Sequence, residues 1–381
     1  MPISRRHFFL GSLALPAFAA KKPPARPNLL LFLVDDLPAW VLGCYGNKEI
    51  RTPNIDRLSQ TGTRFLNHFV CTPDAAPSRI TFLTGRTPMQ TSGPGLDKIL
   101  GGLSYEVHTQ DASTASGFID KQSASKQFFL TVTSSRLMAP YNDVSQKYRD
   151  LYAKTTFEGY TPDPVSPNAN VGREMLGDIV GNVRKYAAAL SQLDAEVNTV
   201  LAALNQKGLL DNTLIVFSST CGLLLGRHGL WGSGDASRPV NMYDEAVGTP
   251  LFWSWAGRVP ALATQVELVS SYDFVPTICN ALDVPAPAGL CGRSYLLMAT
   301  GKPLPKKQRW RSTVCGHYQN TDMARVERYK VVLRDGGKGP NELYDLNADP
   351  REKVNQADDD QFVSIKTSLG AEIAKWKQQY S

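Results

Sequence analysis

The stretch that decides the fold is Asn28-Leu-Leu-Leu-Phe-Leu-Val34, followed directly by Asp35-Asp36. A run of apolar residues that ends in two carboxylates is typical of a strand buried on both faces, as in parallel sheets covered by helices. Such sheets bind ligands beyond the carboxyl ends of their strands. We therefore expect Asp35 and Asp36 to lie at the functional end of the sheet.

Strands and helices alternate along the rest of the first 300 residues. Further buried strands are predicted at residues 128–133, 213–218 and 250–255. A helix is expected to begin at Thr52-Pro53, with Thr as the N-cap and Pro in the first turn. Apolar residues at helical spacing predict one long helix within residues 171–207, closed by Gly208. This alternation predicts an α/β fold with a mostly parallel central sheet sandwiched by helices.

The pattern of predicted strands and helices changes after about residue 301. Residues 325–334 and 342–346 resemble exposed antiparallel strands, and residues 362–380 form an amphipathic pattern of helical period. We predict an α/β domain over residues 26–300 and a C-terminal subdomain over residues 301–381. That subdomain is expected to hold a small antiparallel sheet and a helix.

The N-terminus has the composition of an export signal. Arg5-Arg6 precedes an apolar stretch from Phe8 to Ala20 that ends in small residues of the kind a signal peptidase recognises. Paired arginines before a short apolar core resemble a twin-arginine signal, and an ordinary secretory signal is the alternative. Residues 1–20 are therefore predicted to direct bacterial export to the periplasm or the cell exterior. No other stretch is long and apolar enough to span a bilayer, so no integral membrane association is expected.

The charge distribution argues against a nucleic-acid partner. The formal charge of the chain is +6, but five basic residues and no acidic residue lie within the first 26 positions. The remainder is almost neutral, which is unlike a protein with a polyanion-binding surface. The six cysteines are too few for a disulfide framework, although an oxidising compartment would allow one or two bridges of unspecified pairing.

A set of motifs, in order along nearly the whole mature chain, resembles the sulfatase family of the alkaline phosphatase superfamily. The motifs are Arg26-Pro-Asn-Leu with Val34-Asp-Asp-Leu37, Thr52-Pro-Asn-Ile-Asp-Arg-Leu58, Pro77-Ser-Arg79 with Leu83-Thr-Gly-Arg86, Asn212-Thr-Leu-Ile-Val-Phe-Ser-Ser219, Leu225-Gly-Arg-His-Gly-Leu-Trp231, Tyr272-Asp-Phe-Val-Pro-Thr277 and Leu343-Tyr-Asp-Leu-Asn-Ala-Asp-Pro350. Any one of them alone is weak, whereas the ordered set is specific. The resemblance implies the fold already predicted and a lineage of sulfuric ester hydrolases.

The resemblance also implies a nucleophile that this chain lacks. A sulfatase of this family carries a Cys or Ser, converted to formylglycine, two residues before Pro-Ser-Arg. The residue at that position here is Ala75, whose methyl group can be neither oxidised to the aldehyde nor act as a nucleophile. Cys71 lies four residues too early, so no formylglycine is expected. The family's catalytic arginine is retained as Arg79.

The metal site implied by the resemblance is only half present. Asp35 and Asp36 match the first pair of ligands for a divalent cation, usually calcium. The second pair, Asp followed by Asn or His in the family, is Thr220-Cys221 here. A hard cation would therefore lose a carboxylate and meet a hydroxyl and a soft sulfur. A weakly bound divalent cation is the cofactor that these residues leave open.

Three further positions depart from the family or stay ambiguous. The family lysine after the Trp motif is Ser233 here, and the family histidine before a proline is Met138. The segment that carries a Lys and a His before the strand at 128–133 is missing, and only residues 87–127 remain there. His228 stands in a family motif near the predicted pocket, and a hydrogen-bonded structural histidine is its alternative role.

These substitutions leave three functional hypotheses. The first is a pseudoenzyme whose ancestral partner is a small-molecule or carbohydrate sulfate ester. The second is a weak or altered hydrolase of sulfate or phosphate esters, which would use a remnant metal site, a zinc-like site at Cys221, Asp35, Asp36 and His228, or a hydroxyl nucleophile such as Ser78 or Thr72. The third is the folded core of a decayed gene product. The sequence does not indicate an oligomeric state.

Overall fold

The computed structural model describes residues 26–90 and 93–380. The predicted signal peptide, residues 1–20, lies outside the described residues. Among the helices of the described part, none combines the length and the apolar character that a membrane crossing requires.

The described chain folds into three sheets surrounded by helices. The strands are β1 (Asn28–Val34), β2 (Thr63–Phe65), β3 (His68–Phe69), β4 (Glu106–Asp111), β5 (Phe128–Thr133), β6 (Thr213–Ser219), β7 (Leu251–Ser254), β8 (Ala263–Gln265), β9 (Val269–Ser270), β10 (Val314–Tyr318), β11 (Thr321–Arg325), β12 (Tyr329–Arg334) and β13 (Glu342–Asp345). The α-helices are α1 (Pro53–Gln60), α2 (Ala75–Thr84), α3 (Leu96–Gly102), α4 (Ala115–Ile119), α5 (Gln146–Asp150), α6 (Ile179–Gln206), α7 (Asp244–Val247), α8 (Phe274–Ala281), α9 (Leu296–Ala299) and α10 (Val363–Tyr380).

The largest sheet has the strand order β4-β5-β1-β6-β7-β2-β8. Strands β4, β5, β1 and β6 are mutually parallel, as are β2 and β8, whereas β7 is antiparallel to both of its neighbours. Every residue of β1 is buried. Leu30 and Phe32 pack in one core cluster with α6, and Leu29 and Leu31 pack in a second with α2 and α8. The predicted α/β fold with a mostly parallel central sheet is confirmed.

Helix α1 begins where the sequence predicts, but a different side chain caps it. The Thr52 hydroxyl donates to Asp56 Oδ1 at 3.1 Å and makes no capping bond of its own. Asp194 of α6 instead accepts hydrogen bonds from the backbone nitrogens of Asn54 (2.9 Å) and Ile55 (2.8 Å). The free N–H groups at the start of α1 are thus satisfied from another helix.

The long helix begins later than predicted. Helix α6 starts at Ile179 rather than within residues 171–178, which hold the 3₁₀ segment Arg173–Asp178. Gly172 has φ +76°, a left-handed conformation that interrupts a helix, and Asp178 then caps α6 by accepting a 2.9 Å hydrogen bond from the Gly181 nitrogen. Apolar residues continue at helical spacing through the 3₁₀ segment, and the sequence pattern therefore predicted a helix that begins too early. Gly208 follows the end of α6 at φ +65°.

The C-terminal sheet has the order β10-β11-β12-β13 and is antiparallel throughout. The prediction of exposed strands at residues 325–334 and 342–346 is wrong, because four of the six residues of β12 and three of the four residues of β13 are buried. Helix α10 covers one face, where Leu369 and Ile373 pack on Val331. Val332, on the other face, packs in a cluster with Phe69, Met242 and Val247. The domain boundary at residue 300 stays a prediction.

The six cysteines are free thiols in this structure. Cys71 and Cys291 nevertheless belong to one buried cluster with Tyr272.

Burial of His68 makes stability depend on pH. Its ring is buried with Nδ1 2.8 Å from Thr249 Oγ1, and desolvation lowers its pKa from 6.5 to about 3. Below pH 6.5 the unfolded chain gains a proton that the folded chain does not take up, so stability falls as the pH falls. At pH 5 this loss is about 2 kcal/mol.

We expect His68→Gln to lose less unfolding free energy between about pH 7 and about pH 5 than the unaltered protein, as measured by urea denaturation. His108→Gln is the control, since the His108 side chain is 42% exposed. Equal losses in His68→Gln and the unaltered protein would contradict the account.

Candidate active site

Asp35 joins three elements at the carboxyl end of the large sheet. It follows β1, and Arg79 of α2 donates from Nη2 to both of its carboxylate oxygens at 2.5 and 2.7 Å. Thr220, directly after the neighbouring strand β6, donates from its hydroxyl to Asp35 Oδ1 at 2.5 Å. The Asp35 side chain is only 14% exposed. Both of its oxygens therefore already have partners from the chain itself.

Asp36 has a different environment. Its φ is +55°, and the Cys221 thiol donates to its Oδ1 at 3.3 Å. Burial, which is the largest cause, and the nearby Asp35 and Asp74 carboxylates together raise the pKa of Asp36 to about 7, against the opposing hydrogen bond from Cys221. The Tyr186 hydroxyl fixes the turn by donating to the Asp36 carbonyl at 2.9 Å. The thiol is thus a hydrogen-bond donor to this carboxyl group.

Ala75 is the first residue of α2. Asp74 caps this helix by accepting a 3.3 Å hydrogen bond from the Ala76 nitrogen. An aliphatic methyl group therefore stands where the resemblance places the nucleophile. The charge of Asp74 acts on Asp36, which links the start of α2 electrostatically to the Asp35–Asp36 turn.

In the part of the chain that the structure describes, the two hydroxyls considered as replacement nucleophiles have no activating base beside them. Ser78 Oγ is buried, without a hydrogen-bond partner among the described residues. Thr72 donates its hydroxyl hydrogen to the His317 carbonyl at 2.9 Å. A hydroxyl becomes an effective nucleophile only beside a base or a metal. Neither hydroxyl therefore has a base beside it among the described residues.

Ser233 lies on a loop that packs against the segment before α2. The nitrogen of Gly234 donates to the Pro73 carbonyl at 2.9 Å. Ser233 Oγ itself is 3.5 Å from the Ala246 carbonyl. A serine side chain is shorter than a lysine side chain and is neutral, so it cannot supply the positive charge of a lysine.

Tyr318 of β10 is a site residue that the sequence analysis missed. Its hydroxyl lies 3.2 Å from Asp74 Oδ2 and 3.4 Å from Asp235 Oδ2. Asp235 is also paired with Arg238 at 2.7 Å. Tyr318 thereby joins the loop before Ala75 to the loop that carries Ser233. No sequence motif marked it, because its partners lie far away along the chain.

Within residues 26–90 and 93–380, no hydrogen bond joins His228 or Met138 to the group formed by Asp35, Arg79 and Thr220. The His228 ring stacks on Tyr243 with centroids 3.7 Å apart, and its Nε2 lies 3.3 Å from Glu245 Oε2. These contacts match the structural alternative for His228. Met138 lies on the loop after β5 and is 48% exposed.

The donor set does not fit a calcium ion. Calcium takes six to eight oxygen ligands, whereas the Asp35 oxygens are held by Arg79 and Thr220 and the Asp36 carboxyl faces a thiol. Over residues 26–90 and 93–380 there is no group of three or more His, Cys, Asp or Glu side chains that could hold a metal ion. The same absence of a ligand group argues against the zinc-like site of Cys221, Asp35, Asp36 and His228.

Comparison with known proteins places the chain in a family. The family model for sulfatases matches residues 27–103 and 96–284, and a model described as N-sulphoglucosamine sulphohydrolase, C-terminal, matches residues 237–379. The first match covers more than half of the chain. The protein therefore belongs to the sulfatase family.

Its relatives include enzymes that act on sulfate esters. Human arylsulfatase A is 25% identical over an alignment 437 positions long, gaps included, which spans 90% of this chain and 85% of that protein. A delta 4,5-hexuronate-2-O-sulfatase of Bacteroides thetaiotaomicron is 25% identical over 91% of this chain and 88% of its own length. A structure solved in complex with its substrate D-glucosamine-2-N,6-O-disulfate has a TM-score of 0.78 at 18% identity, covering 93% of this chain and 98% of that one. This last likeness supports the fold alone.

Proposed function

We propose that this sulfatase-family protein has lost hydrolysis of sulfate esters by the family's reaction. The observation that carries the proposal is the methyl group of Ala75 at the start of α2, directly after Asp74. Nearby, Asp35 is paired with Arg79 and accepts a hydrogen bond from the Thr220 hydroxyl. Without a group at position 75 that can attack sulfur, the first bond of the reaction cannot form.

Functional residues are replaced at several positions, which favours loss of the family's reaction over a variant of its mechanism. The family reaction needs a nucleophile, a cation that polarises the sulfate and cationic side chains that stabilise developing charge. In this chain Ala75 stands in place of the nucleophile, and Thr220 and Cys221 stand in place of two metal ligands. Ser233 stands in place of one of the cationic side chains. We propose further that Ca²⁺ has no tight site in this chain.

Binding of the ancestral substrate class is a separate part of the proposal. The arylsulfatase and hexuronate-sulfatase relatives act on sulfate esters according to their names. We propose that this chain keeps affinity for a small-molecule or carbohydrate sulfate ester, without turning it over. Binding energy and chemical rate come from different contacts, so one can persist without the other.

Metal content and turnover, measured on one purified sample, test the proposal. We expect no stoichiometric divalent metal and no hydrolysis of a chromogenic aryl sulfate or aryl phosphate above the rate of an Asp35→Asn control, with or without added Ca²⁺. Turnover that Asp35→Asn abolishes would instead establish a hydrolase acting through a remnant metal site.

We also propose that the chain is exported by a bacterial cell through residues 1–20. The supporting observation is Arg5-Arg6 before the apolar stretch from Phe8. Replacing both arginines by lysine keeps the charge, so an ordinary secretory signal should still function. We expect the double replacement to abolish export of the full chain in cell fractionation, and unchanged export would contradict the twin-arginine assignment.

A further inference from the structure

One edge of the large sheet is open to solvent. Strand β8 is the last strand in the order of that sheet, and within the described residues it pairs with β2 alone. Thr264, in the middle of β8, is exposed. Open edges are usually blocked by charged residues or proline, because they can pair with other molecules. The sequence of β8, Ala263-Thr-Gln265, contains neither.

Three aliphatic side chains border this edge and are exposed. Leu262, directly before β8, is 77% exposed, Val266, directly after it, is 63% exposed, and Leu66 is 43% exposed. The Leu66 nitrogen donates to the Gln265 carbonyl at 2.9 Å, which places Leu66 beside Val266. Leu262 has φ +57°, a conformation that a leucine rarely adopts. The fold thus holds an apolar side chain in water where asparagine or glycine would fit the backbone better.

A basic segment, residues 301–310, lies against the same strand. A Cβ on Gly301 would be 3.0 Å from Pro260 Cγ, and Trp310 Nε1 donates to the Leu268 carbonyl at 2.7 Å. Both contacts are with residues that flank β8, so the segment runs alongside this edge of the sheet. It contains no Asp or Glu, and its four basic residues are exposed and form no ion pair within residues 26–90 and 93–380; they are Lys302, Lys306, Lys307 and Arg309.

Little negative charge offsets these residues. Arg258 is exposed and adds a fifth positive charge. Glu267 is the acidic residue of the segment 258–268, and its Oε2 is buried without a hydrogen-bond partner in the described part of the chain. Residues 258–268 and 301–310 together with Leu66, here called the β8 surface, therefore combine exposed aliphatic side chains with a positive net charge.

We propose that the β8 surface docks the protein on a membrane that contains anionic phospholipid. Proteins bind such membranes peripherally when aliphatic side chains enter the interface and Lys or Arg side chains meet the headgroups. A second copy of the chain, paired through the same edge, would bring two basic segments together, and like charges would repel. A polyanionic chain would match the charge but leave Leu262 and Val266 in water. The inference does not depend on whether hydrolysis is lost.

Co-sedimentation with vesicles tests the proposal. The chain is used from Lys21 onward, which keeps every described residue and removes the apolar stretch at residues 8–20. The vesicles are phosphatidylcholine, with or without an equal amount of phosphatidylglycerol. We expect binding only where phosphatidylglycerol is present, and weaker binding as salt is added. The pair Lys306→Gln, Lys307→Gln should weaken binding by about 20-fold, since each basic residue near an anionic membrane contributes about fivefold.

Leu262→Asn separates docking from folding. Asparagine suits the left-handed backbone at this position, so the variant should keep its Tm while it binds the vesicles about tenfold more weakly. Val354→Asn, at an aliphatic side chain that is 59% exposed elsewhere, is the matched control for it. The pair Lys121→Gln, Lys126→Gln, at exposed lysines, is the control for the lysine variant. Both controls should bind as the unaltered chain does.

The proposal is overturned if the chain binds neither kind of vesicle or both equally, or if Leu262→Asn or the lysine variant binds as its control does. Self-association in sedimentation that Leu262→Asn abolishes, without vesicle binding, would assign the β8 surface to a second copy instead. Retention on dextran sulfate without vesicle binding would assign it to a polyanion. Aryl sulfate turnover is measured independently, so failure of this inference and failure of the proposed loss of hydrolysis give different results.

Discussion

The double variant Thr220→Asp, Cys221→Asn is expected to acquire a Ca²⁺-dependent rise in Tm that the unaltered chain lacks. Thr220 Oγ1 lies 2.5 Å from Asp35 Oδ1, and Cys221 Sγ lies 3.3 Å from Asp36 Oδ1. The two replacements therefore place a third carboxylate and an amide oxygen beside the retained pair. Oxygen donors of this kind are the ligands that Ca²⁺ prefers.

The same change should make the metal-free protein less stable. Three neighbouring carboxylates repel one another, and Arg79 is the cation that pairs with Asp35. Saturation with Ca²⁺ at about 100 times Kd contributes about 2.7 kcal/mol, which raises Tm by several degrees. Thermal unfolding in Ca²⁺ and in EDTA measures both effects.

The pair Thr220→Val, Cys221→Ser is a suitable control, because it changes the same positions without adding a carboxylate. It should show equal Tm values in Ca²⁺ and EDTA. An equally large Ca²⁺-dependent rise in the unaltered chain would mean that Asp35 and Asp36 retain a functional cation site, contrary to our interpretation.

The sequence predicted the retained part of the candidate site from local signals. An apolar strand that ends in two carboxylates places Asp35 at a strand's carboxyl end, whereas Arg79 was identified only by its resemblance to the family's Pro-Ser-Arg motif. The first signal depends on a few adjacent residues, and the second depends on the ordered set of family motifs. The 2.5 Å contact between Arg79 and Asp35 follows from them once the sheet has formed.

Other parts of the site depend on contacts that no local pattern encodes. Tyr318 reaches Asp74 across 244 positions of sequence, from a strand of the C-terminal sheet that the sequence analysis did not predict. His228 has a structural environment only because Glu245 and Tyr243 fold against it. A sequence motif identifies which residue type stands at a position, whereas the burial of that residue and its contacts in the fold determine its role.

Restoring the nucleophile alone is the second change with a clear expected outcome. Ala75→Cys, co-expressed with a formylglycine-generating enzyme, should not yield useful sulfatase activity. A nucleophile contributes only when its activation and the developing charge are also provided for. Loss of a general acid alone removes a factor of ~10²–10⁴, and the family's histidines, two of its metal ligands and its lysine after the Trp motif are all replaced or missing in this chain.

Adding Thr220→Asp, Cys221→Asn and Ser233→Lys to Ala75→Cys should restore cation binding before turnover. The Lys- and His-bearing segment that the family resemblance implies is still absent, since only residues 87–127 precede β5 in that region. Cation affinity depends on the ligand oxygens, whereas turnover also needs the residues of that segment.

The central claim is that hydrolysis was lost at several positions and not at residue 75 alone. Its most direct test is the rate of aryl sulfate hydrolysis by Ala75→Cys, matured to formylglycine as verified by mass spectrometry, against an Ala75→Val control. The account predicts equal rates for the two variants in the presence of Ca²⁺. Hydrolysis by Ala75→Cys well above the Ala75→Val rate would contradict it, because the remaining residues would then suffice for the family's reaction.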